Sequence, residues 1–126
     1  MPDFVVDASA VLKTVLDEPE AKRFRRWLAE ALASDADIHS SGVLPYEVAQ
    51  GIWRRGVANR EEAFARCIYG VRLHDTARQA LRHVDPLSAY DASYLATAIS
   101  LGATLVSYDQ RLVGVARNAG IKVLQP

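Results

Sequence analysis

Short apolar runs of strand length alternate along this chain with segments whose apolar residues recur at helical spacing, the pattern of βαβ units around a parallel sheet. Phe4-Val5-Val6 is apolar throughout, as expected of a strand covered on both faces. Ala8 to about Leu16 reads as a helix. After Pro19 a second helix places Phe24, Trp27, Leu28, Ala31 and Leu32 on one stripe and Lys22, Arg25, Arg26 and Glu30 largely opposite. A polar break at Ser34-Asp35 leads into a short strand around residues 38–40. Pro45 suits the first turn of a third helix carrying Val48 and Ile52, with Gly56 where it stops. A fourth helix runs from Asn59 through Ala63, Cys67 and Ile68 to Gly70. The pattern over residues 71–84 predicts a short strand, 71–74, and a helix with Ala77, Leu81 and Val84 inward.

The last third is more regular. Residues 88–101 show Leu95, Ala98 and Ile99 at helical spacing before Gly102, a residue suited to the left-handed position after a helix. Thr104-Leu105-Val106 is a strand, residues 110–119 a helix, and residues 121–124 a closing strand. The expected architecture is a three-layer α/β/α domain on a central parallel sheet of four to five strands, with residues 1–126 as one unit.

At 126 residues the chain can bury about two-thirds of its unfolded surface in one core. Fifteen basic and fifteen acidic residues cancel, so net charge neither indicates nor excludes a nucleic acid. Twelve of the basic residues are arginines, whose planar donor fork suits phosphate; Arg23/Arg25/Arg26 and Arg54/Arg55 are the clusters. Cys67 is alone, which rules out an intramolecular disulfide and a multi-cysteine metal site. With no basic-then-apolar leader and no long apolar run, the expected setting is the cytoplasm, with no membrane association.

The acidic positions carry the chemistry. In an open parallel sheet ligands bind beyond the carboxyl ends of the strands. Asp7 follows the first strand there and Asp109 follows "TLVSY". Both also open helices, where aspartate is a favoured cap. Ser88-x-x-Asp91 has capping-box spacing, which puts Asp91 in the first turn of its helix, and Glu47 stands in the first turn of another. Each acid has a local explanation, yet all four are expected on one rim. Carboxylates gathered there repel one another unless a cation binds among them, and Mg²⁺ or Mn²⁺ suits such oxygen donors. Ser9 and Ser107 stand beside the two strand-end aspartates as candidate supporting hydroxyls. The tripeptide Asp-Ala-Ser occurs at residues 7–9 and 91–93, but Ser93 falls about 200° around the helix from Asp91 and is expected to point away. His39, His74 and His83 are scattered and receive no catalytic role. Trp27 and Trp53 are expected as packing or interface aromatics, and Tyr46, Tyr90, Tyr94 and Tyr108 each neighbour one of the acids.

The segments "FVVDASAVLK", "LPYEVAQGI", "SAYDASYLATAISLGATLVSYDQRL" and "GIKVLQP", in that order, resemble PIN-domain ribonucleases, in particular VapC-type toxins. The resemblance implies a Mg²⁺- or Mn²⁺-dependent endoribonuclease acting on structured RNA such as tRNA or rRNA. It also implies a homodimer held inactive by a cognate, DNA-binding, VapB-like antitoxin. The family's acids carry over onto Asp7, Glu47, Asp91 and Asp109, and its small hydroxyl residues onto Ser9 and Ser107. Some members carry a further acid just after the last; here Gln110, Arg111 and Leu112 follow. Aspartate-nucleophile phosphatases need an acid where Ser9 stands, and receiver domains need a mid-chain Asp and a late Lys that are absent. An inactive PIN-like binding module is the remaining alternative.

Overall fold

The chain alternates strand and helix to build a five-stranded, wholly parallel sheet in the order β3-β2-β1-β4-β5. The computed structural model describes residues 2–126. The strands are β1 (Asp3–Val6), β2 (Asp37–Ser41), β3 (Val71–His74), β4 (Thr104–Val106) and β5 (Val123–Leu124). The helices are α1 (Ala8–Val11), α2 (Ala21–Ala33), α3 (Leu44–Arg54), α4 (Arg60–Ile68), α5 (Ala77–Ala80), α6 (Ala89–Leu101) and α7 (Gln110–Asn118). The chain winds outward from β1 through β2 to β3, then returns to the other side of β1 with β4. The crevice between the carboxyl ends of β1 and β4 is therefore the place where the winding reverses, the usual ligand position in such sheets.

Alternation along β1 assigns the layers. Phe4 meets Trp27 of α2 edge-on, with ring centres 5.0 Å apart. Val5 pairs with His39 in β2, and two residues further along, Ser41 bonds to Ser93 of α6. Helices therefore cover both faces of the sheet. Helix α6 is buried from Ala92 to Ala98, polar Ser93 and Thr97 included, so it is a core helix with no wide solvent face. Among the described residues no helix is long and apolar enough to cross a membrane.

Four expectations need correction. The first helix is a single turn, Ala8–Val11, that tightens to a 3-10 turn over Leu12–Thr14 rather than running to Leu16. Thr14 and Val15 are β-branched and resist helix extension. Leu12 is also drawn against α3, where a β-carbon on Gly51 would lie 2.6 Å from Leu12 Cδ1, so any larger residue at 51 would displace the Leu12 side chain. Between residues 77 and 84 the inward residue is Ala80, whereas Leu81 is 75% and Val84 39% exposed. The helix gives way there to a 3-10 turn at Leu81–His83, whose three-residue repeat shifts the phase of the apolar stripe. Ile99 of the α6 pattern is exposed, and β5 is confined to Val123–Leu124 rather than starting at residue 121. Trp53 is also exposed, which the interface reading of that residue allows.

Candidate active site

Asp7 takes its position from β1 ending at Val6. Its extended backbone places the carboxylate over the first turn of α1, where Oδ1 accepts the Ala10 N–H at 3.0 Å. The Ser9 hydroxyl donates to the same oxygen at 2.7 Å, and the Ser107 hydroxyl, arriving from the end of β4, donates to Oδ2 at 2.6 Å. Ser9 in turn accepts the Tyr108 N–H and Ser107 the Asp109 N–H. Two serines almost a hundred residues apart thus clamp one carboxylate. At 3% exposure Asp7 pays for its burial: its pKa rises to about 6, with lost hydration outweighing the hydrogen bonds from Ser107, Ser9 and Ala10.

The other three acids converge on the same rim. Asp109 caps α7, accepting the N–H groups of Arg111 and Leu112. Ser88 accepts the Asp91 N–H at 3.1 Å and so sets Asp91 in the first turn of α6. Glu47 stands in the first turn of α3 and accepts the hydroxyl of Tyr94, which lies one turn beyond Asp91. Burial is the first cause that raises Glu47 and Asp91, and mutual repulsion adds to it. The charge of Asp109 pushes up Asp7, Asp91 and Glu47, and that of Asp91 pushes up Glu47. Tyr94 is kept firmly protonated by burial and by the charges of Glu47, Asp7 and Asp91, so it serves as a fixed donor.

Sequence position marks Tyr94 only as a neighbour of Asp91; the i, i+3 spacing is the signal that puts both on one helix face. Tyr94→Phe leaves half-buried Glu47 without its donor and should lower the unfolding free energy by about 1–2 kcal/mol near neutral pH. The loss should shrink as acid neutralises Glu47. Urea denaturation at two pH values checks this, and an unchanged midpoint at pH 7 would contradict it.

A groove of about 710 Å³ runs past Glu47, lined by Ala8, Tyr46, Gln50, Arg54 and Tyr90 among others. Tyr46 and Tyr90 are 80% and 60% exposed, free to stack on a base, whereas the Tyr108 hydroxyl is tied to the Pro126 carbonyl and its ring packs on Phe24. Arg54 is the arginine that reaches the groove; Arg55 turns to Glu18, and Arg25 binds the Lys13 carbonyl. Ser93 does not face the acids. It donates to the Tyr90 carbonyl and accepts from Ser41, a buried structural role.

The histidines are less scattered than their spacing suggests. His39 Nδ1 lies 2.8 Å from His74 Nε2, and its Nε2 lies 3.1 Å from Asp3. Asp3, Asp37 and His39 bring one ligand atom each within 4.8 Å of one another, and they are the one such group of three among the described residues. They lie on the first half of β1 and β2, away from Asp7. Their groups are already satisfied, Asp37 by Arg72 and His39 by Asp3 and His74.

With this geometry in place, the sequence from residue 4 to residue 118 matches the profile of the PIN domain. The chain belongs to the PIN domain family. As a PIN domain it is 30% identical over 124 residues to Ribonuclease VapC3 of Pyrobaculum aerophilum, covering 86% of this chain and 90% of that protein. The PIN fold is shared with VapC20 of Mycobacterium tuberculosis, a sarcin-ricin loop cleaving toxin, with a TM-score of 0.71 at 18% identity over 98% of this chain and 99% of that one. It is shared too with VapBC2 of Rickettsia felis, whose crystal structure holds a promoter DNA fragment, with a TM-score of 0.68 at 14% identity over 97% of each chain. In this PIN domain the predicted acids Asp7, Glu47, Asp91 and Asp109 lie where the winding of the sheet reverses.

Proposed function

We propose that this PIN domain is a metal-dependent endoribonuclease and the toxin of a type II toxin–antitoxin pair. One observation carries the reading: Asp7, buried and raised to about 6, is held by two serines among the charges of Asp109, Asp91 and Glu47. A fold that keeps four acids in mutual repulsion has a use for a cation there. The donor set is all oxygen, with no imidazole or thiolate, which suits Mg²⁺ or Mn²⁺ rather than zinc. Asp7, Asp91 and Asp109 are the ligands, Glu47 completes the set, and Ser9 and Ser107 orient Asp7.

A cation bound there supplies Lewis acidity toward an attacking water and positive charge for the phosphate oxygens. The chain's own part is positioning. The serine clamp fixes Asp7, Tyr94 fixes Glu47, Arg54 offers a fork to a neighbouring phosphate, and Tyr46 and Tyr90 offer faces to bases. The likeness to Ribonuclease VapC3 supports RNA as the substrate, structured RNA such as tRNA or rRNA being the class we assign. The fold shared with VapBC2 supports a cognate, DNA-binding, VapB-like antitoxin as partner. The toxin itself works as a cytoplasmic homodimer.

Purified protein should cleave structured RNA with millimolar Mg²⁺ or Mn²⁺ and stop in chelator. The same ions should raise the melting temperature, since a ligand at a hundred times its Kd adds about 2.7 kcal/mol to stability. Absence of both effects would leave a binding module in place of the enzyme.

A further inference from the structure

A second cavity, of about 410 Å³, opens beside the groove that Glu47 lines and shares Val43 and Tyr90 with it. Its size lies within the range of small-ligand pockets. The floor is a closed network of hydroxyls. Ser41 donates to Ser93, Ser93 to the Tyr90 carbonyl, and Thr76 is bonded to Thr97 at 2.9 Å and to the Ser93 carbonyl. The mouth carries exposed Ala77 and Ala89, and the wall carries His74 and Asp75.

The state of His74 follows from a chain of three groups. The Asp3 carboxylate can only accept, so His39 Nε2 holds the proton of the contact at 3.1 Å. In the tautomer that leaves His39 Nδ1 bare, that atom accepts, and the 2.8 Å contact is donated by His74 Nε2. His74 is left with a bare lone pair on Nδ1. That atom has no partner within the chain, yet it is not sealed off: among the described residues, Thr14 Oγ1 is the buried side-chain oxygen or nitrogen lacking one. Burial, His39 and Arg72 all oppose a charge on His74, which favours the neutral ring. Asp75 uses Oδ1 for the Ala77 N–H, and its other oxygen is without a partner. Two residues that line the cavity, His74 and Asp75, therefore carry acceptors not engaged within the chain, next to the ring of Tyr90.

We infer that this cavity is a base-recognition subsite, taking one unstacked RNA base with an exocyclic amine, which stacks on Tyr90 and donates to His74 Nδ1 and Asp75. Adenine, cytosine and guanine each bring an exocyclic amine with two N–H donors, whereas uracil offers a single N3–H flanked by two carbonyls that acceptors repel. Tyr90 immediately precedes Asp91, so the base in this cavity belongs to a nucleotide flanking the cleaved phosphate. His39 and Asp3 are positioning residues that hold His74 in its accepting form. The inference rests on the ribonuclease reading for its substrate, but its test does not need cleavage.

The test titrates AMP, CMP, GMP and UMP singly, at millimolar concentration and pH 8, into the full chain, reading the amide resonances of Ala77, Tyr90 and Ser93 by NMR. The three amine-bearing nucleotides should shift these resonances and bind at least about fivefold more tightly than UMP, the scale of one good base contact. Ala77→Leu, at an exposed site that fills the mouth, should abolish the shifts. Asp3→Ala should level the order of preference while binding persists, an effect that a purely structural role for Asp3 would not produce. Binding with this order in a protein that cleaves no RNA would sustain the subsite and defeat the nuclease. Cleavage by a protein that shows no such shifts, or that binds UMP as well as CMP, would overturn the subsite and leave the nuclease standing.

Discussion

Asp7→Asn should leave the chain folded and lower metal-dependent RNA cleavage by about a thousandfold or more, the scale on which a group essential to charge stabilisation acts. The substitution keeps the shape. Asparagine Oδ1 can still cap α1 through Ala10 and accept from Ser9, while its amide requires only that the Ser107 hydroxyl turn from donor to acceptor. What disappears is the negative charge that is central to the proposed cation site. Steady-state cleavage by protein matched for circular dichroism checks the point, and activity within tenfold of wild type would remove Asp7 from the site.

The same substitution should make the metal-free protein more stable, with a defined pH dependence. The pKa of Asp7 is raised from 3.8 to about 6 on folding. Below 3.8 the carboxyl is protonated in both states and contributes nothing. Between the two values the native chain binds the extra proton, and above 6 both states are ionised and the fold bears the whole cost of the buried charge, about 3 kcal/mol at most. Asparagine never ionises. Its advantage should be absent near pH 3, grow from pH 4 to 6, and level off at about 1–3 kcal/mol above that. Saturating Mn²⁺ should reverse the order, because only the wild type retains the ligand. Melting curves in chelator across this range decide; an asparagine variant less stable at pH 8 would count against an acidic cluster.

Local rules proved enough for the elements that carry the acids. The run Phe4-Val5-Val6, the capping box at Ser88 and the strand at 104–106 are written in spacing and composition, so Asp7, Asp91 and Asp109 could be placed on one rim before any tertiary contact was known. What local rules do not contain is phase and pairing. The stripe at Ala77, Leu81 and Val84 depended on an unbroken helix, and one 3-10 turn moved it. The link between His39 and His74 spans 35 residues and depends on the register of β2 against β3, where Ser41 faces His74. Tyr94 could be set on the face of Asp91 by helix periodicity, but its bond to Glu47 needed α3 and α6 to meet.

The clamp on Asp7 also bears on when the proposed nuclease becomes active during its own synthesis. Asp7 leaves the ribosome early, but Ser107 and Asp109 follow about a hundred residues later. At about 5–20 residues per second, that interval lasts roughly 5–20 s. A nascent or truncated chain ending before β4 holds the first aspartate without its second serine or its fourth acid. The proposed catalytic centre is thus assembled only after β4 has been made, which leaves the proposed antitoxin a time window in which to be ready.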